Sequence, residues 1–524
     1  MSIVKLRPIV HATRLADGVH LRGWSSSVTV RGGAGLWRIW EILSAKLAAG
    51  IPADQVSAPE GKPEIVRAVT GLLTSLREHD MLVEVPETFT APPAIANWLL
   101  AVADDPADAW GRLSSATVTV TGAGDLRKAA VRALVDAGVS VAEADGPDML
   151  AWQAYAVGLR VRGETGFVTP VVPRGELSGV TGIIGTRLSA VDGPTPWVLS
   201  ALTGGAAAHR LVCAIAGLPD PAHEAALVSD SAGVRPEHPT AIVTRLDPLR
   251  VSHHPVLLGG SVDQPATVAD ILTRLDVLTD PVLGPVPEPA AGTLPQQPAA
   301  LARAGDLVGF GATTDAARLD AALRWTAYRL CPDGTFVVGV NDTHARGQAL
   351  RLRALALPAA EPVADAEWAS NPAARRWWKA LTLRFGVPAT LTVDRLAAGA
   401  VRAVVTVDGT VVAHAVEAEA ADAVGFAALA ATGVAQSGVD TGWPVLLTGA
   451  LSYWEPEGEV TTPWSDGWSW PAGVVRHEED LQAVLTDLVG PPPVVRGDDD
   501  LPQALAAVGF AVAEWARTTV GSAS

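Results

Sequence analysis

Three short segments near the N-terminus alternate apolar and polar residues, and this pattern constrains the fold more than any other stretch. The segments are residues 7–13, 18–23 and 26–31. Such alternation is typical of half-buried strands, and the connections at residues 16–18 and 24–25 are short enough to reverse the chain. The sequence therefore predicts three antiparallel strands at the start of the protein.

Two amphipathic helices follow these strands. Leu36–Ala49 carries apolar residues on one stripe and is followed by Gly50, a helix stop. Residues 63–79 begin with Pro63, which the first turn of a helix tolerates. This second helix carries two neighbouring stripes, more than one core-facing side requires: Ile65, Val69, Leu72 and Leu76, and then Val66, Thr70, Leu73 and Arg77. We interpret this helix and the strand at 26–31 as two sides of a peptide-binding groove.

Residues 1–92 form a winged-helix-like order of strands and helices. They resemble the precursor-peptide recognition element of ribosomal peptide maturation systems, in the version that partners azoline-forming cyclodehydratases. The resemblance implies that a leader peptide adds as a further strand beside the third strand, residues 26–31, and packs on the helix at residues 63–79. An open strand edge supplies backbone hydrogen bonds, and side-chain pockets fix the register. The implied peptide-binding residues are Val28, Thr29, Val30, Val66, Thr70, Leu73 and Arg77.

Two other interpretations of residues 1–92 stay open. The domain can simply pack on the rest of the chain. It can also be a DNA-binding winged helix, in which case residues 63–79 would be the recognition helix. That segment and its N-terminal flank have three basic residues against two glutamates: Lys62, Arg67 and Arg77, and Glu64 and Glu78. DNA binding independent of sequence needs many phosphate contacts, so this charge balance disfavours a regulator.

Composition excludes several classes of function. The 524 residues carry a net charge of −17, which argues against a nucleic-acid partner for the whole chain. The cysteines are Cys213 and Cys331, and without a Cys-x-x-Cys pair we predict no zinc cluster. The start of the chain is not a secretory signal, and no run of about 18 apolar residues is present. We expect a cytoplasmic protein with no membrane partner.

The next predicted domain, residues 112–225, opens as a strand, a glycine turn and a helix. The turn contains Gly122 and Gly124, which in dinucleotide sites cradle phosphate at a helix N-terminus. Arg127 stands where the third glycine of that motif belongs, and Asp125 would repel phosphate. A plain strand-to-helix turn is therefore the favoured interpretation.

The same domain resembles the adenylating fold of the ubiquitin-activating, ThiF and MoeB type. The family's arginine–lysine set and its zinc cysteines have no match here. Cys213 lies within an apolar helix, which is typical of a core cysteine rather than a nucleophile. We therefore predict a degenerate ThiF-like α/β domain with no adenylating activity.

Residues 235–494 form a larger predicted α+β domain that resembles the YcaO fold of ATP-dependent cyclodehydratases. In that family, glutamates on helices hold magnesium and nucleotide. The matching helix presents Arg324, Trp325 and Tyr328, and helix 420–436 offers only Asp422. Magnesium requires several oxygen ligands in an octahedron. We therefore predict no catalytic residues, no metal and no cofactor.

Aromatic residues and a final helix complete the chain. Two sets of tryptophans are interpreted as buried packing or as a contact patch for a partner protein: Trp443, Trp454, Trp464, Trp468 and Trp470, and Trp377 with Trp378. Residues 495–524 are predicted to dock as a helix over residues 501–518. Its apolar face is Leu505, Val508, Val512 and Trp515.

The fold class predicted is α/β (α+β), built from these domains in that order. The function predicted is a non-catalytic partner that binds a precursor's leader and presents the peptide to a separate cyclodehydratase, in azole, azoline or thiopeptide synthesis. A homodimer is left open. The alternative from the enzyme class is an active cyclodehydratase or adenylating enzyme with divergent residues.

Overall fold

The computed structural model describes residues 2–24, 26–33, 35–56, 62–188, 193–222, 238–258, 262–263, 265, 268–332, 334–439, 444–450, 472–495 and 499–515. The chain divides into two compact units, Met1–His254 and Pro255–Ser524. The elements are mixed α and β, as the sequence predicts.

The first unit begins with a small module of two three-stranded sheets and two helices. One sheet has the order β2-β3-β4 and the other the order β5-β1-β6, and all their pairs are antiparallel. The strand predicted over residues 7–13 is observed as the shorter β2. Strand β1, which precedes it, was not predicted. The elements are β1 (Ser2–Leu6), β2 (His11–Arg14), β3 (Gly18–Arg22), β4 (Ser27–Arg31), α1 (Leu36–Ala49), β5 (Ile51–Pro52), α2 (Pro63–Glu78) and β6 (Leu82–Pro86).

Arg7 ties this module to the next helix, α3 (Pro93–Val102). Its guanidinium is buried and donates from Nη1 to the carbonyl oxygens of Leu100 at 3.1 Å and Ala103 at 2.9 Å. It also pairs with the Asp80 carboxylate at 2.9 Å. The module is therefore hydrogen-bonded to residues just beyond the limit of residue 92 predicted from the sequence.

The rest of the first unit is an eight-stranded sheet with helices. The predicted strand–turn–helix–strand unit is present, because β7 and β8 are parallel and α5 connects them. Along the sheet the order is β14-β13-β11-β10-β9-β7-β8, and β12 pairs with β10. The elements are α4 (Pro106–Ser115), β7 (Thr117–Thr121), α5 (Gly124–Asp136), β8 (Ser140–Ala144), β9 (Met149–Trp152), β10 (Tyr155–Arg162), β11 (Thr165–Val168), β12 (Val172–Pro173), α6 (Leu177–Leu188), α7 (Trp197–Ala216), β13 (Thr240–Arg245) and β14 (Arg250–Pro255).

The boundary predicted near residue 235 needs correction. Strand β13 pairs antiparallel with β11, with Phe167 opposite Val243, so residues 240–255 complete the sheet of the first unit. Val243 is fully buried there. The prolines before β13 suggested a domain boundary. The sequence pattern does not show that β13 adds to the sheet formed by earlier strands.

Helix α7 is long and apolar enough to cross a membrane by length and composition, with a mean hydropathy of 1.4. It packs instead on α5 and on the sheet, and 61% of the apolar window is buried within the protein. Cys213 lies on this helix and is 4% exposed, which matches its interpretation as a core residue.

The second unit contains a five-stranded sheet, a three-stranded sheet and a hairpin, with helices packed around them. The five-stranded sheet has the order β18-β19-β20-β21-β22, the three-stranded sheet the order β17-β24-β23, and β15 pairs with β16. The elements are α8 (Val268–Leu278), β15 (Ala300–Ala304), β16 (Leu307–Gly311), α9 (Thr314–Leu330), β17 (Phe336–Gly339), α10 (Asp342–Ala354), β18 (Glu361–Pro362), α11 (Pro372–Lys379), β19 (Ala389–Arg395), β20 (Val401–Val407), β21 (Thr410–Glu417), α12 (Ala420–Ser437), β22 (Val445–Leu446), α13 (Ala472–Val489), β23 (Val494–Val495), α14 (Asp500–Ala507) and β24 (Ala511–Glu514).

The single C-terminal helix predicted over residues 501–518 is wrong. Helix α14 ends at Ala507, and Ala511–Glu514 forms β24, the central strand of its sheet. Val512 faces one core cluster, while Ala511 and Ala513 face another. A strand buried on both faces is continuously apolar, and periodicity cannot distinguish it from a helix.

The tryptophan predictions have mixed outcomes. Trp377 is 4% exposed in the main core cluster, and Trp378 packs against that cluster, so this pair is buried packing. The other five lie outside the described residues: Trp443, Trp454, Trp464, Trp468 and Trp470.

Candidate functional site

Strand β4 is the outer strand of its sheet, and within the described residues it pairs with β3 alone. Its side chains alternate: Val28 and Val30 are half-buried against the module core, whereas Thr29 is exposed. The Thr29 hydroxyl lies 2.9 Å from Nδ1 of His20 on β3. An unpaired edge of this kind is what strand addition by a peptide requires.

The hydrogen bonds at the two ends of β4 show which backbone groups face the open edge. The Gly23 N–H donates to the Ser26 carbonyl at 2.9 Å, and the Gly32 N–H donates to the Asp17 carbonyl at 2.9 Å. Bonded and non-bonded pairs alternate along an antiparallel ladder. On β4, the residues whose backbone N–H and C=O groups bond to β3 are therefore every second one, Val28 and Val30. We infer that Thr29 turns its N–H and C=O outward, so Thr29 is the member of the predicted trio that can pair with an added strand.

Helix α2 supplies the other side of this surface, and it departs from the prediction at one residue. Val66 is half-buried, and Thr70 and Arg77 are exposed. Leu73 is only 4% exposed and belongs to the module core. The expectation that Leu73 floors an open groove therefore needs correction, because both stripes of α2 contribute to packing. We call Thr29, Val66, Thr70 and Arg77 the β4–α2 surface.

One hydrogen bond fixes the spacing of the two elements. The hydroxyl of Ser26, just before β4, donates to the carbonyl of His79, just after α2, at 2.8 Å. Arg77 lies in the last turn of α2 near this tie, and it makes no ion pair with any residue in the described ranges. Its charge is therefore available to an acidic group at the rim of the β4–α2 surface.

The glycine turn between β7 and α5 is already filled by a carboxylate. Gly122 has φ of +109°, and a Cβ added there would collide with Oδ1 of Asp148. Burial raises the pKa of Asp148, while a hydrogen bond from the Ala123 backbone and the charge of Arg160 oppose the rise. Asp125, at the helix start, pairs with Lys128 at 3.3 Å. A carboxylate in the turn disfavours phosphate there, which strengthens the interpretation of this motif as a structural turn.

A cavity of about 240 Å³ lies in the second unit between α9, β16, β17, α10 and β22. Arg324 of α9 reaches it, and its Nε donates to the Asp320 carboxylate at 2.6 Å while its Nη2 donates to the Leu446 carbonyl at 3.0 Å. Its guanidinium carbon also lies 5.5 Å from the ring centre of Phe310. Asp320 is the one carboxylate among the described lining residues, and it accepts the Phe310 N–H as well. An acid occupied in this way does not form an octahedral oxygen site.

The other residues predicted at this position lie outside the cavity lining. Trp325 is partly buried and packs against the cores of the second unit, and Tyr328 is 48% exposed. Asp422 of α12 is also absent from the described lining. Burial and the neighbouring Glu417 and Glu419 raise the pKa of Asp422 to about 7.

The sequence reasoning missed a buried charge cluster in the second unit. Arg351 of α10 is fully buried between Glu417, at the end of β21, and Glu478 of α13. Its Nη2 lies 2.8 Å from Oε2 of Glu417 and 2.6 Å from Oε2 of Glu478. The carboxylates come from positions 66 and 127 residues away, so no local spacing signals them.

Each carboxylate of this cluster has a further donor. The Gly449 N–H donates to Glu417 at 2.9 Å, and the Gln482 amide donates to Glu478 at 2.6 Å. Burial acts to raise the pKa of Glu478, but the contact with Arg351 outweighs it and lowers that pKa. At Glu417 burial outweighs the same contact and raises the pKa, so the single guanidinium stabilises the charge of Glu478 more fully than that of Glu417. In the described part of the chain, no three His, Cys, Asp or Glu side chains are grouped as a metal site would require.

Comparisons with known proteins identify the fold. No protein-family model matches the sequence, and no curated protein matches it significantly. The structure is similar to a solved heterocyclase in complex with substrate and cofactor, with a TM-score of 0.54 and 12% identity over 98% of this chain and 94% of that one. It is also similar to the heterocyclase TruD, with a TM-score of 0.50 and 13% identity over the same shares.

These likenesses cover nearly the whole chain, so the protein shares the heterocyclase fold. This shared fold agrees with the resemblance inferred from the sequence, whereas the recognition element and the ThiF-like and YcaO-like domains stay predictions. A third likeness, to E. coli MccB with AMPCPP and MccA, covers 48% of this chain with a TM-score of 0.33 and 10% identity, too low for any conclusion.

Proposed function

We propose that this protein is a non-catalytic, leader-binding partner in the modification of a ribosomally made peptide. The observation that carries the proposal is the open edge of β4, where the Thr29 backbone faces outward beside α2. A leader peptide adds there as a fourth antiparallel strand of the β2–β3–β4 sheet. Its apolar side chains contact Val66, and an acidic side chain pairs with Arg77.

The second unit supports the non-catalytic part of the proposal. A heterocyclase of the same fold is described with substrate and cofactor, which shows that the fold can hold both. In this chain, Arg324 reaches the cavity of the second unit and binds its one described carboxylate, while Arg351 holds two other buried acids. The carboxylates of Asp320, Glu417 and Glu478 are thus engaged in internal ion pairs with arginine.

The chain then acts by raising local concentration. A peptide tethered by its leader keeps its modifiable residues near the active site of a separate cyclodehydratase, which increases their effective concentration without a new active site. We assign leader binding to residues 1–92 and contact with the enzyme to the degenerate domains. We propose that this protein, the precursor peptide and the cyclodehydratase are all cytoplasmic. Light scattering of the purified protein would show whether it forms a homodimer.

The test uses the full-length chain and a precursor peptide encoded beside it. Fluorescence anisotropy with a labelled leader should show saturable binding, and the core peptide without its leader should not compete. ATP consumption with precursor present should stay at the background rate until a cyclodehydratase is added. Nucleotide turnover by this chain alone, in proportion to its concentration, would replace the proposal with the enzyme alternative.

A further inference from the structure

A second concavity, of about 340 Å³, lies in the first unit between α6 and strands β10 and β11. Arg160 and Arg162 of β10 are paired across the ladder with Phe167 and Thr165 of β11, respectively. Residues opposite each other in antiparallel strands project from the same face. The two arginines, the threonine and the phenylalanine therefore share the sheet face that α6 covers.

The charged side chains among the described residues that line this pocket are both cationic. Its described lining contains both arginines and no aspartate or glutamate. Arg160 makes no hydrogen bond or ion pair with any other residue that the structure describes, although its charge acts on Asp148. The exposed guanidinium of Arg160 in a concave site attracts an anion. In a chain with a net charge of −17, anion binding must come from such a local arrangement.

Helix α6 leaves the pocket open at two positions. Gly182 and Gly185 line it from the helix side, and a Cβ added at either would meet no atom within 4 Å. Glycine weakens a helix interior by about 1 kcal/mol relative to alanine. The helix thus carries glycines that no close contact requires, on the face where side chains would fill the pocket.

We propose that this pocket binds a small molecule bearing an oxyanion, either phosphate or carboxylate, together with an apolar group. A guanidinium presents paired donors that match the oxygens of either anion. Thr165, Thr181 and Thr186 place hydroxyl groups in the same lining, and Phe167 with Leu188 supplies apolar surface. The volume is within the range of pockets for small ligands. The site is separate from the β4–α2 surface and does not rest on the proposed function.

The experiment is calorimetry of the full-length protein with three probes: phenyl phosphate, benzoate and inorganic phosphate. We expect one-to-one, saturable binding of phenyl phosphate that weakens as the salt concentration rises. Tighter binding of phenyl phosphate than of benzoate identifies phosphate as the anion, and the reverse order identifies carboxylate. Weaker binding of inorganic phosphate measures the contribution of the apolar group.

Three variants locate the site. Arg160→Gln should weaken binding of phenyl phosphate at least tenfold, and Gly185→Leu should abolish it by filling the pocket. Gly179→Leu is the matched control, because Gly179 lies on the same helix, is exposed and does not line the pocket. It should bind as the wild type does. Both leucine variants should melt at or above the wild-type temperature, because leucine favours helix over glycine.

Two results would overturn the proposal. One is the lack of saturable binding of all three probes by the wild-type protein. The other is binding that neither Arg160→Gln nor Gly185→Leu changes in a protein with wild-type circular dichroism, because that places the anion elsewhere.

Discussion

Arg351 donates two hydrogen bonds to Glu478, from Nη1 to Oε1 at 3.0 Å and from Nη2 to Oε2 at 2.6 Å. This bidentate pair lies in the interior with a second glutamate, Glu417, on the other side of the guanidinium. Removing one partner of such a cluster leaves uncompensated buried charge, whereas removing all charges can be neutral.

Arg351→Met should therefore lower the free energy of unfolding by about 3–5 kcal/mol. The triple variant Arg351→Met, Glu417→Gln, Glu478→Gln should be closer to the wild type than the single variant is. Chemical denaturation of the three proteins at pH 7 measures this. A single variant as stable as the wild type would show that the carboxylates are solvated in solution.

His414 should make stability depend on pH. Burial, and then the charge of Arg324, lower the pKa of His414 to about 4, against 6.5 for an ordinary histidine. Between these values the unfolded chain binds a proton that the folded chain does not, so this group's stabilising contribution falls as the pH drops from about 6.5 to 4. His414→Leu should reduce the loss of stability between pH 7 and pH 5. An identical loss in both proteins would contradict the assignment.

Thr29→Pro should abolish leader binding and leave the module folded. Proline lacks an N–H and is tolerated on an edge strand where that N–H faces solvent. Val28→Pro is the contrasting control. It removes the backbone N–H that hydrogen-bonds to β3, so it should unfold the module. Anisotropy and circular dichroism of both variants measure this. Normal binding by folded Thr29→Pro would place the leader elsewhere.

Arg77→Glu should weaken leader binding more than tenfold, because repulsion replaces attraction at the rim of the β4–α2 surface. An exposed ion pair contributes roughly 0.2–1 kcal/mol, and a partly desolvated one more. The loss should shrink at high salt. Arg67→Glu makes the same charge change at an exposed position near the other end of α2 and should have a smaller effect. Equal effects would indicate general attraction to the helix rather than a specific pair.

ATP with magnesium should not bind at the cavity of the second unit or at the glycine turn between β7 and α5. Asp320 is held by Arg324, and Asp148 fills the glycine turn, so neither site offers free oxygen ligands or a phosphate cradle. Calorimetry of the Arg160→Gln variant, which lacks the proposed anion site of the first unit, should give no saturable heat at millimolar nucleotide. A micromolar site would revive the interpretation as an enzyme.

The local patterns of this chain predicted its elements well where one face of an element is buried. The alternation over residues 18–31 gave β3 and β4, and the stripe of Leu36, Trp40, Leu43 and Leu47 gave α1, because solvent and core alternate along such elements. Strand β24 was missed because both of its faces are buried.

Contacts between distant residues were beyond sequence reasoning. The side chain of Asp148 in the glycine turn, and that of Arg351 between two glutamates, depend on how far-apart segments meet in the fold. Leu73 is a similar case within one module. The sequence pattern identified its helical stripe but did not show that Leu73 is buried in the module core.

The outward backbone of Thr29 also bears on how the free protein behaves. An uncovered edge can template pairing with another chain as readily as with a peptide, and a second copy of β4 is always at hand in a concentrated sample. The protein without its peptide should therefore self-associate through this edge and aggregate on storage. Co-expression with the leader should raise its solubility, because the added strand caps the sheet.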